Sequence, residues 1–359
     1  MTTTSTTKSA AEPTTKAVRS VRTAGGFSVR YEPRAVVCVL GLLVLALAAA
    51  VVLIGSGDFP IAPGDVVATL LGDGTPVQEF AVMDLRLPRV LVAVCVGAAL
   101  GIGGAVFQSI SRNPLGSPDV IGFGQGATVG ALTVIVLFQG DATAASAGAV
   151  VGGLVTGAAI YLLAWKRGVH GYRLVLVGIG SAAMLTAVIH YLITKADLVD
   201  ATRATVWMTG SLDGRDWTQF RPLFAVCCVL LPVVLGHGRA LRMLEMGDDA
   251  AYALGVHVER TRIVLMTSAV LLVSAATAAA GPIVFVSLSA PQLARRLTRS
   301  PGPNLAASAL MGVALLLVAD WAATQAFGDR QLPVGVVTGV LGGCYLLWLL
   351  VTERKAGRI

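Results

Sequence analysis

The chain has 359 residues, 55% of them hydrophobic and only 13% charged, with a mean hydropathy of +0.77 and a formal net charge of +7. So apolar a composition lies outside the range of soluble globular domains. It points to a chain whose surroundings are lipid.

Residues 1–34 are rich in Thr, Ser, Lys and Arg and carry too little apolar surface to pack, so they read as a disordered cytoplasmic tail. The first apolar segment, 35–54, is free of charge, and at ~1.5 Å per residue it covers the ~30 Å hydrocarbon layer. Ala46-Leu47-Ala48 resembles a signal-peptide cleavage site, but the long leader and long apolar core favour an uncleaved helix. Further segments follow at 88–107, 121–138, 144–165, 174–194, 223–235, 263–280, 283–293, 305–327 and 334–351. The expectation is an all-α, polytopic membrane protein with about ten transmembrane helices, its membrane domain spanning 35–353.

The connecting segments fix an orientation. With a cytoplasmic amino terminus, 20 of the Lys and Arg residues fall inside and 7 outside, while Asp58, Asp65, Asp73, Glu79 and Asp84 cluster in the first outer loop. This positive-inside bias places both termini in the cytoplasm of a cell whose plasma membrane holds the chain. It also accounts for the net charge without nucleic acid.

Glycines four apart, such as Gly97 and Gly101, Gly126 and Gly130, Gly148 and Gly152, or Gly339 and Gly343, predict close helix contacts, because small residues let backbones approach within a bilayer. The third segment is entered through Asn113-Pro114-Leu115-Gly116-Ser117-Pro118, and the eighth is bracketed by Gly281-Pro282 and Pro291. These irregular stretches hold matching places if segments 2–5 and 7–10 are inverted halves. Broken helices so placed point to a transport path, since unpaired backbone is tolerated only where it lines a cavity or is buried in protein.

Chemistry for catalysis is missing from the sequence. No Gly-x-x-x-x-Gly-Lys-Ser/Thr loop for ATP occurs, and the four histidines and five cysteines lack metal-ligand spacing. Asp320 is the one acid deep in an apolar run; it is either held by a neighbouring helix or functional, as in a proton-coupled secondary transporter. The loop EMGDDAAYALGV at 245–256 reads as a short helix over Gly247, Asp248, Asp249, Ala250, Ala251, Ala253 and Leu254, capped by Asp248 or Asp249 and ended at Gly255 in a left-handed conformation. Two turns have little stability alone and call for a docking surface.

The stretches LRLPRVLVAVCVGAALGIGGAVFQS, RNPLGSPDVIGF, EMGDDAAYALGV, AGPIVFVSLSAPQLAR and LPVGVVTGVLGGCYLLWLL occur in order over most of 58–351. In these the chain resembles the ABC-transporter permeases for iron siderophores, haem and cobalamin, and within them the permeases of ferric-enterobactin systems. The resemblance implies the type II ABC importer permease fold, a second permease subunit that is homologous but not identical, two ATPase subunits that hold ATP and Mg, and an extracytoplasmic siderophore-binding protein. It implies no cofactor or metal on this chain, and no enzymatic activity of its own.

By the same resemblance, residues 245–256 correspond to a cytoplasmic coupling helix that seats in an ATPase. Arg86 and Arg89 match arginines that dock the binding protein. Asn113 and Leu115 match one cytoplasmic gate, and His170, Gly171 and Tyr172 a second, where Tyr172 is bulkier than the small hydroxyl residues common in the family. Two further departures are Gln292, where the family has His after Pro291, and Thr324, where an Arg commonly follows the intramembrane acid; Asp320 thereby lacks an expected neighbour. The implied cargo is a ferric catecholate siderophore, with hydroxamate siderophore, haem or cobalamin as alternatives.

Overall fold

The computed structural model describes residues 19–22, 28–57, 59–165, 171–326 and 331–355. Ahead of the helices, β1 (Arg19–Arg22) and β2 (Ser28–Tyr31) pair as an antiparallel ribbon with Arg19 opposite Tyr31, within the stretch expected to be a disordered tail. The rest of that tail lies outside the described residues.

The helices follow in the order α1 (Pro33–Gly55), α2 (Pro63–Leu70), α3 (Pro76–Glu79), a π-helical stretch (Phe80–Arg86), α4 (Leu87–Ser111), α5 (Pro118–Ile121), α6 (Phe123–Leu137), α7 (Ala142–Ala164) and α8 (Gly171–Lys195). They continue with α9 (Leu198–Met208), α10 (Trp217–Gly236), α11 (Gly238–Glu245), α12 (Asp248–Ala253), α13 (Val258–Ala280), α14 (Val286–Thr298), α15 (Leu305–Gln325) and α16 (Val334–Lys355). Ten of these, α1, α4, α6, α7, α8, α10, α13, α14, α15 and α16, coincide with the ten apolar segments of the sequence. Among the described residues, seven are long and apolar enough to cross a membrane; α6 and α16 are shorter apolar helices.

The eighth, α14, departs from expectation. The sequence places its helix at 283–293, whereas 281–285 are not helical and α14 runs from Val286 to Thr298. Gly281 (φ 74°) and Phe285 (φ 68°) hold left-handed backbone, and Pro282 between them has no N–H to give a helix. At 13 residues α14 is about 20 Å long, well short of the bilayer. The third segment breaks likewise: α4 ends at Ser111, followed by the left-handed Arg112 (φ 50°), and Gly122 (φ 98°) separates α5 from α6. Both stretches that look irregular in the sequence are therefore interruptions of the backbone.

At the centre lie α4, α13 and α15. Almost every residue of α4 from Val90 to Ile110 is buried, and α13 is buried from Leu265 to Ala280 with few exceptions. The glycines explain how α15 comes so near α4. A Cβ built on Gly97 would stand 2.7 Å from the Gly312 carbonyl oxygen, and one on Gly101 would stand 2.2 Å from that of Ser308, so the two backbones touch. Gly130 and Gly148 do the same for α6 and α7. Gly343, by contrast, faces open space on α16, so its glycine spacing marks no contact within one chain.

Candidate sites at the two ends of α4

The 25 residues of α4 span about 37 Å, so its ends lie on opposite sides of the bundle. At its first end, Pro88 cannot donate a backbone hydrogen bond, and its ring crowds the carbonyl four residues earlier. The chain answers by widening into the π-helical stretch, in which the Leu87 N–H bonds Val82 O, five residues back. That turn sets the directions of Arg86 and Arg89.

Arg86 Nη1 donates to Ile54 O and Nη2 to Phe59 O, each at 2.7 Å, so it ties α4 to the end of α1. Arg89 forms a two-pronged pair with Asp320: Nε to Oδ2 at 3.1 Å and Nη2 to Oδ1 at 2.8 Å. Asp320 is 1% exposed, so this pair supplies the neighbour that the sequence left unassigned. The third nitrogen, Nη1, points to the rim, where Asp213 Oδ1 lies 3.4 Å away and is 72% exposed. Asp213 belongs to the loop between α9 and α10, which also carries Arg215 and Asp216. The Thr218 hydroxyl and N–H hold the Asp216 carboxyl below the usual carboxylate range, and the same residue caps α10. Both arginines assigned to docking thus have intramolecular partners, and Arg89 Nη1 reaches an exposed acid.

At the other end, the short helix read from the sequence is α12. Gly247 (φ 116°) precedes it, and Gly255 (φ 81°) follows Leu254 in the left-handed conformation foreseen. The cap differs from the expectation. The residue ahead of α12 is Gly247, with no side-chain cap; Asp248, in the first turn, directs its carboxylate to two arginines. Arg262 of α13 donates to it at 2.9 and 3.0 Å, and Arg112, at the end of α4, pairs with it through Nη2. Two guanidinium groups offer more than the free N–H groups of a two-turn helix, so the acid is drawn away from capping. Asp249, Tyr252, Ala253 and Leu254 are exposed, whereas Ala251 is buried against the bundle and Ala250 is half-buried.

Arg112 also bonds Leu244 O and directly precedes Asn113, whose side chain accepts from the Leu115 N–H at 2.9 Å. Leu115 is exposed. Gly171, at the start of α8, packs on α4: a Cβ there would stand 2.7 Å from Ser111 O. The structure therefore brings the Asn113–Leu115 loop and Gly171 together at the end that carries α12, with Tyr172 projecting outward. His170 lies outside the described residues.

Sequence reasoning missed how α14 is tied to this loop. Gln292 Nε2 donates to Pro114 O at 2.6 Å, Gln108 Nε2 donates to Leu288 O at 3.0 Å, and the Ser287 hydroxyl donates to Asp119. The hint available was Gln292 itself, a polar residue on a short apolar segment. Glu245 is a second omission; it accepts from Ser109 Oγ at 2.6 Å and from Arg295 at 3.3 Å, fastening α11 to α4 and α14. No group of three His, Cys, Asp or Glu side chains suited to a metal ion occurs among the described residues.

A bundle of long apolar helices with interrupted third and eighth members, and a surface helix ion-paired to the end of its central helix, defines a polytopic membrane transport subunit. Residues 42–352 match the FecCD transport family, and the chain belongs to it. It is 48% identical to the ferric enterobactin transport system permease protein FepG of Escherichia coli (strain K12), over 84% of this chain and 91% of that protein. It is 36% identical to the iron(3+)-hydroxamate import system permease protein FhuG of Bacillus subtilis (strain 168), over 82% of this chain and 90% of that one. A solved inward-facing structure of a metal-chelate type ABC transporter superposes with a TM-score of 0.77 at 26% identity, covering 88% of this chain and 98% of its own.

Proposed function

We propose that this chain is the transmembrane permease subunit of an ATP-driven importer that carries a ferric siderophore of the catecholate type across the cytoplasmic membrane by alternating access. The catecholate assignment is supported by the 48% identity to a permease named for ferric enterobactin. The observation that carries the mechanism is the Arg112–Asp248–Arg262 cluster. Through it, a push on α12 reaches both the loop at Asn113 and Leu115 and the long helix α13.

In this reading two ATPase subunits hold ATP and Mg and grip the exposed residues of α12. Their closure draws on Asp248, and the two gates, one at Asn113 and Leu115 and the other at His170, Gly171 and Tyr172, open in turn. At the opposite end the siderophore-binding protein docks at Arg86 and Arg89, where its carboxylates compete with Asp213 for Arg89 Nη1. The partner permease covers faces of α8 and α16 that have no neighbour among the described residues, such as those around Gly180 and Gly343. A cytoplasmic position for α12 and both termini is supported by the charge bias of the connecting segments. The Arg89 pair holds Asp320 on two prongs, which supports a fixed structural role for the acid over a proton relay.

A ferric tris-catecholate carries three negative charges, and bringing it into a negative interior costs about 7 kcal/mol at 100 mV. Hence the need for coupling to ATP. Uptake of labelled ferric catecholate and ferric hydroxamate by cells lacking this chain tests the reading. Loss of catecholate uptake with hydroxamate uptake intact is expected; unchanged catecholate uptake would overturn the assignment.

A further inference from the structure

A cavity of about 540 Å³ opens on the outside of the bundle at the arginine-rich end, between the start of α1 and the start of α15. Its walls are aliphatic, formed by Val36, Val39 and Leu40 of α1 with Leu305 of α15. Its rim is polar, formed by Ser300 and by the exposed Arg242 of α11. We propose that this cavity binds one anionic phospholipid, with acyl chains against α1 and α15 and the phosphate at Arg242.

Three observations favour that occupant. Arg242 makes no hydrogen bond or ion pair among the described residues, although Arg112, Arg262 and Arg295 at the same end all do. Its guanidinium is steadied without being neutralised: Nε lies near Gly302, and that loop is itself fixed by Asn304 Nδ2 donating to Ser300 O at 2.9 Å and Gly302 O at 3.2 Å. Second, the flanking charges favour an anion. Arg34 and Arg299 adjoin the lining residues in sequence, and Glu32 is the single acidic residue of the lining. Third, the apolar walls continue into the lipid-facing side of α1, where Val37, Leu40 and Val44 are exposed. A soluble phosphate would satisfy the rim and leave the walls wet. The basic residues of 1–34 make the chain's own tail a poor match for a basic rim. An amphiphile with an anionic head fits both parts, as expected of basic pockets between helices at the cytoplasmic surface.

The test uses the full chain purified in a non-ionic detergent, mixed with equimolar phosphatidylglycerol and phosphatidylcholine and weighed by native mass spectrometry. Phosphatidylglycerol should be retained preferentially. Arg242→Gln should reduce that retention about fivefold, the equivalent of one surface arginine, with phosphatidylcholine unaffected. Val39→Trp, which fills the groove but leaves the charge, should reduce retention of both lipids, and Glu32→Gln should raise that of phosphatidylglycerol. Equal retention of the two lipids, or an Arg242→Gln variant that binds as the parent does, would overturn the proposal. So would inorganic phosphate raising the melting temperature as much as phosphatidylglycerol does, because that outcome needs no lipid. Arg242 makes no contact with the charge cluster at α12, so these readouts are independent of transport.

Discussion

Each end of α4 carries an arginine–aspartate arrangement, and the two differ in burial. Arg89 and Asp320 meet where the acid is 1% exposed, whereas Asp248 sits part-exposed between the exposed Arg112 and the buried Arg262. A buried pair in low dielectric is held by the cost of separating it, so it acts as a fixture. The Arg112–Asp248 contact, between two groups open to solvent, is weaker and screened, and it can be remade with small displacements while Arg262 keeps its hold on the acid. The difference suits a fixed frame at the Arg89 end, which the charge bias assigns to the outer side, and a movable contact at the α12 end, assigned to the inner side.

Breaking the outer pair is expected to have the largest effect. Asp320→Ala leaves the Arg89 guanidinium without its buried partner and should cost roughly 3–5 kcal/mol, seen as a fall in melting temperature of detergent-purified protein. The double variant Arg89→Leu, Asp320→Leu should recover most of that stability, because the penalty belongs to an unpaired charge. A double variant as unstable as the single one would show that the pair has a further structural task.

At the inner cluster, Asp248→Ala should cost about 1.5–3 kcal/mol, since it removes charge-assisted hydrogen bonds to two arginines. Its larger signature is functional: ATP hydrolysis by the assembled importer persists while cargo uptake falls. Uptake equal to that of the parent would remove the cluster from the coupling route. Salt sharpens the contrast. Going from ~0.1 M to ~1 M shortens the Debye length from about 10 to 3 Å, which should weaken the inner cluster and leave the outer pair intact. Melting curves of Asp248→Ala should then respond less to salt than those of the parent.

The smallest effect concerns the outer loop. Asp216→Ala removes the cap of α10 and should cost about 1 kcal/mol. Since the folded chain holds the Asp216 carboxyl below the usual range, its stabilisation is complete at pH values above that range and is lost as pH falls through the lowered value. The variant should therefore differ from the parent at neutral pH and converge with it in acid.

The sequence was informative wherever the cause is local. The ten apolar segments and both interrupted stretches follow from composition and from Gly and Pro, and the end of α12 follows from the conformational freedom of Gly255. Contacts between distant residues were not legible. Arg89 and Asp320 are 231 positions apart, and nothing in either neighbourhood names the other. The misplaced cap at Asp248 has the same origin: local rules assign the carboxylate to its own helix, while arginines from α4 and α13 draw it away. Likewise, Gln292 looked like a departure from a family pattern until Pro114 O supplied its partner. Five of the short helices, α2, α3, α9, α11 and α12, lie between the apolar segments, where hydropathy alone is silent; only α12 was read, from its glycine.

The touching backbones of α4 and α15 bear on how the two mouths communicate. Where Gly97 meets Gly312 and Gly101 meets Ser308, no side chain lies between the helices to be compressed or to change rotamer. The two rods therefore behave as a single stiff spar, anchored by Arg89 at one mouth and held through Arg112 at the other. In the transport cycle proposed above, tilting that spar moves its two ends at once and in opposite senses, which couples the docking face at Arg89 to the loop at Arg112.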